Sequence, residues 1–164
     1  MKRVALVLLV ALTACGGGGE TSSIDSAPTP SASASSDEAT VRQYASLIAE
    51  QETDLQQQIE QARDCGIAFT DTCRITALSL RYNAETLNIS LDGATKPGVP
   101  AYIGPVPAEL DSLVADTKRA ALAIVDQYEA EVSTCGTDCI GAHTRYGITA
   151  GRLADELRGW SPYL

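Results

Sequence analysis

Histidine occurs once in the 164 residues, at position 143, and methionine only at position 1. A carboxylate-bridged di-metal bundle needs two Glu-x-x-His pairs, which one histidine cannot supply. Haem held by Met and His, or attached through C-x-x-C-H, lacks its residues too, and no cofactor is expected. The strings G-x-S-x-G, H-E-x-x-H, G-x-G-x-x-G and the P-loop do not occur, so no catalytic residue is selected and a non-enzymatic chain is expected. Basic residues are scarce as well: 12 Lys and Arg face 21 Asp and Glu, for a net charge of -9. That balance argues against nucleic acid, whose phosphates draw on clustered Lys and Arg. Aromatic residues make up only 5% of the chain against 45% hydrophobic residues, so the core is built from Ala, Leu, Ile and Val, a supply that suits small helices.

The one long apolar run is residues 4–12, nine residues after Lys2 and Arg3, too short to span a bilayer. With Thr13, Ala14 and Cys15 behind it, the run has the form of a charged, apolar and small-residue export signal. The string Leu12-Thr13-Ala14-Cys15 resembles the lipobox of bacterial lipoproteins, a resemblance confined to the first 15 residues. It implies cleavage before Cys15, a diacylglyceryl group on the Cys15 sulfur, and a lipid anchor holding the chain to the extracytoplasmic side of a cell membrane. Residues 16–36 are Gly, Ser, Thr, Ala and Pro in the main, too poor in apolar groups to order themselves. As a flexible coil they would span roughly 25 Å. The chain therefore divides into a signal peptide over 1–14, a lipidated Cys and linker over 15–36, and a helical domain over 37–164. Cleavage takes away Lys2 and Arg3, leaving 10 cations against 21 acids and a net charge of -11.

Four helices follow. Ser35-Ser36-Asp37-Glu38 has the capping-box form, and Val41, Tyr44, Ile48, Leu55, Ile59 and Ala62 recur at helical intervals up to Cys65-Gly66, where Gly66 is expected to turn left-handed. The polar stretch Gln51 to Gln61 is read as a solvated face. Asp71 or Thr72 can cap a second helix carrying Ile75, Leu78, Leu80, Tyr82, Leu87, Ile89 and Leu91, wide enough in apolar coverage to be the most buried, with Asp92-Gly93 as its stop. A loop over 92–106 leads to Pro107, which suits the first turn of a third helix running to Val132 and Cys135-Gly136. Thr137 or Asp138 caps the fourth, with Ile140, Tyr146, Ala150, Leu153 and Leu157, ending near Gly159 and Pro162. The predicted fold is all-α: an antiparallel four-helix bundle made of two hairpins. A faint repeat, Cys-Gly, Asp and Thr, Cys and then Arg-Tyr (Arg81-Tyr82, Arg145-Tyr146), links the hairpins.

With Cys15 set aside for lipid, Cys65, Cys73, Cys135 and Cys139 remain in a chain routed to an oxidising compartment. Three pairings exist, and the local ones, Cys65 with Cys73 and Cys135 with Cys139, are favoured at the turns. The second needs a break at Gly136, because i,i+4 Cβ atoms of a continuous helix are too far apart. Disulfides compete for the thiols of the C-x3-C-x3-H run ending at His143, so no metal is expected there. Gly147 and Gly151 form a small-xxx-small step in the fourth helix, read as close packing rather than a ligand groove. Tyr102 and Lys96 in the 92–106 loop, Trp160 in the tail, and the acidic face of Glu50, Glu52, Asp54 and Glu60 are the candidate contact residues. The expected function is a membrane-anchored envelope lipoprotein presenting a helical module to a cationic envelope protein or peptide. The alternative is a small-ligand carrier or hydrolase using the bundle core or the loop.

Overall fold

The computed structural model describes residues 32–136 and 139–164, with side chains from residue 37 onward. Cys15, the leader and the linker as far as residue 31 lie outside the described residues, as do Thr137 and Asp138, the expected caps of the fourth helix. The rest is an antiparallel four-helix bundle: α1 is Ala32–Cys65, α2 Asp71–Thr95, α3 Asp111–Gln127 followed by a π-helical turn Tyr128–Val132, and α4 Ile140–Gly159. Each helix packs against two neighbours, α1 and α3 both lying against α2 and α4. Disulfides close the two turns at one end, Cys65–Cys73 with Cα atoms 5.6 Å apart and Cys135–Cys139 with Cα atoms 5.2 Å apart.

Residues spaced alternately by three and four form the seams. On α2 these are Cys73, Ala77, Leu80, Ala84, Leu87, Leu91 and Ala94, all buried, the a/d pattern that keeps one stripe facing a partner helix. Alanine at three of these places lets the neighbours come close, and the leucines fill the space between. Three buried rings add a polar anchor each. Tyr146 Oη donates to Ala77 O across the bundle at 2.9 Å, Trp160 Nε1 donates to Thr117 Oγ1 at 3.0 Å, and Tyr44 Oη donates to Gly104 O at 2.9 Å.

Several boundaries move from their expected places. α1 begins at Ala32, ahead of the Ser35-Ser36-Asp37-Glu38 string, because Ala32 and Ala34 favour a helix interior. α2 is capped by Thr70, whose N–H donates to Cys73 Sγ at 3.4 Å, and it continues through Gly93 to Thr95. α3 begins at Asp111, since Pro107 to Leu110 form a separate turn that drives Leu110 into the core. Gly66 does not turn left-handed; only Gly98 and Gly104 have positive φ among the described residues. Gly66 answers a packing need, because a Cβ there would stand 2.9 Å from Thr144 Cα.

Ile75, Leu78, Tyr82 and Ile89 are exposed, so the wide apolar coverage from which α2 is expected to be the most buried helix is only partly turned inward. The Gln-rich face of α1 is partly an interface: Gln58 accepts from Asn83 Nδ2 at 3.0 Å, and Gln51 lies 3.5 Å from Ser90 Oγ. The Arg-Tyr repeat splits as well. Arg81 and Arg145 both reach the π-helical turn, pairing with Glu129 and Glu131, whereas Tyr146 is core and Tyr82 lies outside under the Arg81 guanidinium.

Trp160 is 0% exposed, and its truncation removes the largest side chain of the core. Trp160→Ala is expected to cost about 3–5 kcal/mol in urea unfolding, against less than about 0.5 kcal/mol for Tyr102→Ala on the surface.

Candidate functional site

Among the expected contact residues, Trp160 is corrected outright: a ring buried between Thr117 and Tyr163 can touch no partner. Lys96 is the exposed C-cap of α2, and Tyr102 stands on the loop at 39% exposure. The loop between α2 and α3 is tied down rather than free. Ile103 N–H donates to Ala94 O at 2.9 Å, and Tyr44 binds Gly104 O beneath it. Glu50, Asp54 and Glu60 are exposed along α1, with Glu52 half-buried.

The outer face of α2 carries four exposed large apolar side chains in one row. Ile75, Leu78, Tyr82 and Ile89 are 67, 38, 55 and 61% exposed. At 100° per residue they form one stripe roughly 180° from the core seam and about 21 Å long. Along its α3 side run Arg81, ion-paired to Glu85 at 2.6 Å, and Asp92, paired to Lys118; along its α1 side run uncharged Ser79, Asn83 and Ser90. Helical spacing alone predicts these four residues as part of the apolar face of α2. In the structure Ala77, Ala84 and Ala94 complete the buried seam without them.

A second feature lies between α1 and α4. Near the disulfide end the two backbones meet at glycine: a Cβ on Gly147 would be 3.2 Å from Ala62 O and from Arg63 Cα, and Thr144 Oγ1 donates to Gly66 O at 2.9 Å. One turn further on, a Cβ on Gly151 would meet nothing within 4 Å. Gly151 therefore lines a surface groove of about 490 Å³ with Arg63, Ile148, Arg152, Asp155 and Arg158. The close-packing reading holds for Gly147 and fails for Gly151.

The disulfide end holds the single histidine. His143 is 0% exposed, and neither ring nitrogen has a hydrogen-bond partner among the described residues. Its ring lies 4.9 Å from that of Phe69, and Arg74 donates to Gly136 O at 3.0 Å. Burial, and then the Arg74 charge, hold its pKa below the ordinary value. With the Cys135 and Cys139 sulfurs joined, the C-x3-C-x3-H run has no thiolates to offer a metal. Elsewhere, Arg145 lowers the Glu131 pKa through a hydrogen bond, and burial raises that of Tyr146.

The unfolded chain protonates its imidazole near pH 6.5, whereas the folded chain resists until a lower pH, so this term stabilises fully above about pH 6.5 and fades below it. Urea midpoints are expected to fall between pH 7.5 and 5.5, and His143→Leu to flatten that slope with no loss of stability at pH 7.5. The two glycines should part company in thermal unfolding. Gly151→Ala is expected to stabilise by up to about 1 kcal/mol through helix propensity, and Gly147→Ala to destabilise by forcing α1 and α4 apart. A scan against protein-family models, a search of curated proteins and a search of solved structures returned no match for this chain.

Proposed function

We propose that the chain is a cell-envelope lipoprotein, anchored through Cys15, whose bundle is a non-enzymatic module that docks a cationic amphipathic helix of another envelope protein on the outer face of α2. The observation that carries this reading is the stripe of Ile75, Leu78, Tyr82 and Ile89, four large apolar side chains held in water on a 25-residue helix. Helical spacing suits a helical occupant, which would place its own i, i+3, i+4 and i+7 anchors along the stripe. Charge supports a basic one through the chain as a whole, whose mature net charge is -11; on α2 itself Glu85 and Asp92 are paired to Arg81 and Lys118. Such a field speeds encounter with cations and weakens as salt rises. The lipobox string and the export-type leader support the anchor, since a diacyl group holds a small domain to a membrane far better than a single chain does.

Two experiments test this. Cys15→Ala is expected to release the protein from membranes and to remove the acyl mass increment from the N-terminal peptide; unchanged partitioning defeats the anchor. For docking, a synthetic helix with leucines on one face and lysines on its flanks is titrated by fluorescence anisotropy against the full chain. Saturable binding is expected to weaken at least tenfold in Leu78→Asp/Ile89→Asp with helicity unchanged, and to fall between 50 and 500 mM salt. Equal binding by that variant overturns the reading, as does a concentration-dependent dimer that buries the stripe against a second copy.

A further inference from the structure

We propose that the groove between α1 and α4 binds a small molecule bearing a phosphate monoester. Three guanidiniums, from Arg63, Arg152 and Arg158, line it beside the single carboxylate of Asp155. The formal charge of that lining is +2, in a mature chain that is otherwise strongly acidic. A phosphate monoester carries about -1.5 to -2 at pH 7 and three acceptor oxygens, and planar guanidinium forks fit those oxygens in pairs.

The state of each arginine fits a waiting site. Arg63 pairs with Glu60 at 3.2 Å and Arg158 with Asp155, both pairs lying out in solvent, where such bonds are weak and exchange readily. Arg152 makes neither a hydrogen bond nor an ion pair among the described residues, and it is the only guanidinium on the four helices in that condition.

Gly151 is the independent observation. Glycine in a helix interior costs about 0.5–1 kcal/mol relative to alanine. Gly147, one turn earlier, has a reason to be glycine in the backbone of α1; at Gly151 no protein atom occupies the space a Cβ would fill. A bare backbone there lets a ligand sit against the helix itself, between Arg152 and Arg158. The groove volume of about 490 Å³ leaves room for an organic group beyond the phosphate, with exposed Ile148 as its apolar wall and the buried Ala154 beneath. A lipid headgroup phosphate and a soluble phosphate ester share this chemistry.

The test is amide NMR of the isotope-labelled full chain, titrated with glycerol 3-phosphate, with monomeric dihexanoyl phosphatidic acid and with succinate. Saturable shifts centred on Gly151, Arg152 and Arg158 are expected for both phosphates. Affinity should fall at least tenfold in Arg152→Gln/Arg158→Gln, whose melting temperature serves as the control for folding. Gly151→Val, which fills the floor while leaving all charges in place, is expected to weaken binding comparably. Tighter binding of glycerol 3-phosphate assigns a free ester, and tighter binding of the lipid assigns a headgroup. Unsaturable shifts spread over the surface, equal affinity in the arginine variant, or succinate binding as tightly as the phosphates would each overturn the proposal.

Discussion

Where α1 and α4 meet, two glycines stand in for side chains, and the surrounding geometry follows from that contact. Gly66 lies under the Thr144 backbone, and Gly147 lies against Ala62 and Arg63. Backbones in such contact fix both the spacing of the two helices and their relative register, in a way that larger interdigitating side chains would leave adjustable. The approach draws the start of α4 over the end of α1, beside the two disulfide-closed turns. Beyond Gly147 the space above α4 opens, and the groove at Gly151 begins.

Much of this was legible in the residues. On α4, His143, Tyr146, Ala150, Leu153, Leu157 and Trp160 follow one seam at spacings of three and four, and all are buried. The seam runs one step past the end of α4, so its spacing carries His143 and Trp160 inside together, although Trp160 follows the helix as the first residue of the C-terminal tail. The cysteines were legible because each pair brackets a turn between two helical runs, at a spacing that a local disulfide can close. On α2 two apolar stripes share the helix, and the large residues alone do not say which one faces inward. Small residues settle that only when the neighbouring helices are known, because alanine serves a seam and a surface equally well. The groove was illegible for a plainer reason: it is a property of the distance between two helices.

The bundle rests on packing rather than on charge. Surface ion pairs contribute about 0–1 kcal/mol each, and most of those present bridge residues within one helix. The exceptions, Arg81 with Glu129, Lys118 with Asp92 and Arg145 with Glu131, tie α2 to the π-helical turn, α2 to α3, and the π-helical turn to α4. Their use is orientation. Lys118 fixes the first half of α3 against the end of α2, while Arg81 and Arg145 grip the π-helical turn where the third helix is about to stop.

That end carries a correction of phase. The α3 seam advances from Leu110 through Val114, Thr117, Ala121 and Ile124 at alternating steps of four and three, every one buried. Continued unchanged, the count reaches Tyr128 and then Glu131, which would put a carboxylate into the core. The wider π-helical turn, closed by Ser133 N–H on Tyr128 O at 2.9 Å, takes up one extra residue. Val132 is buried instead, and Glu131 swings out to Arg145. The helix thus carries one extra residue absorbed in its backbone without loss of its apolar frame.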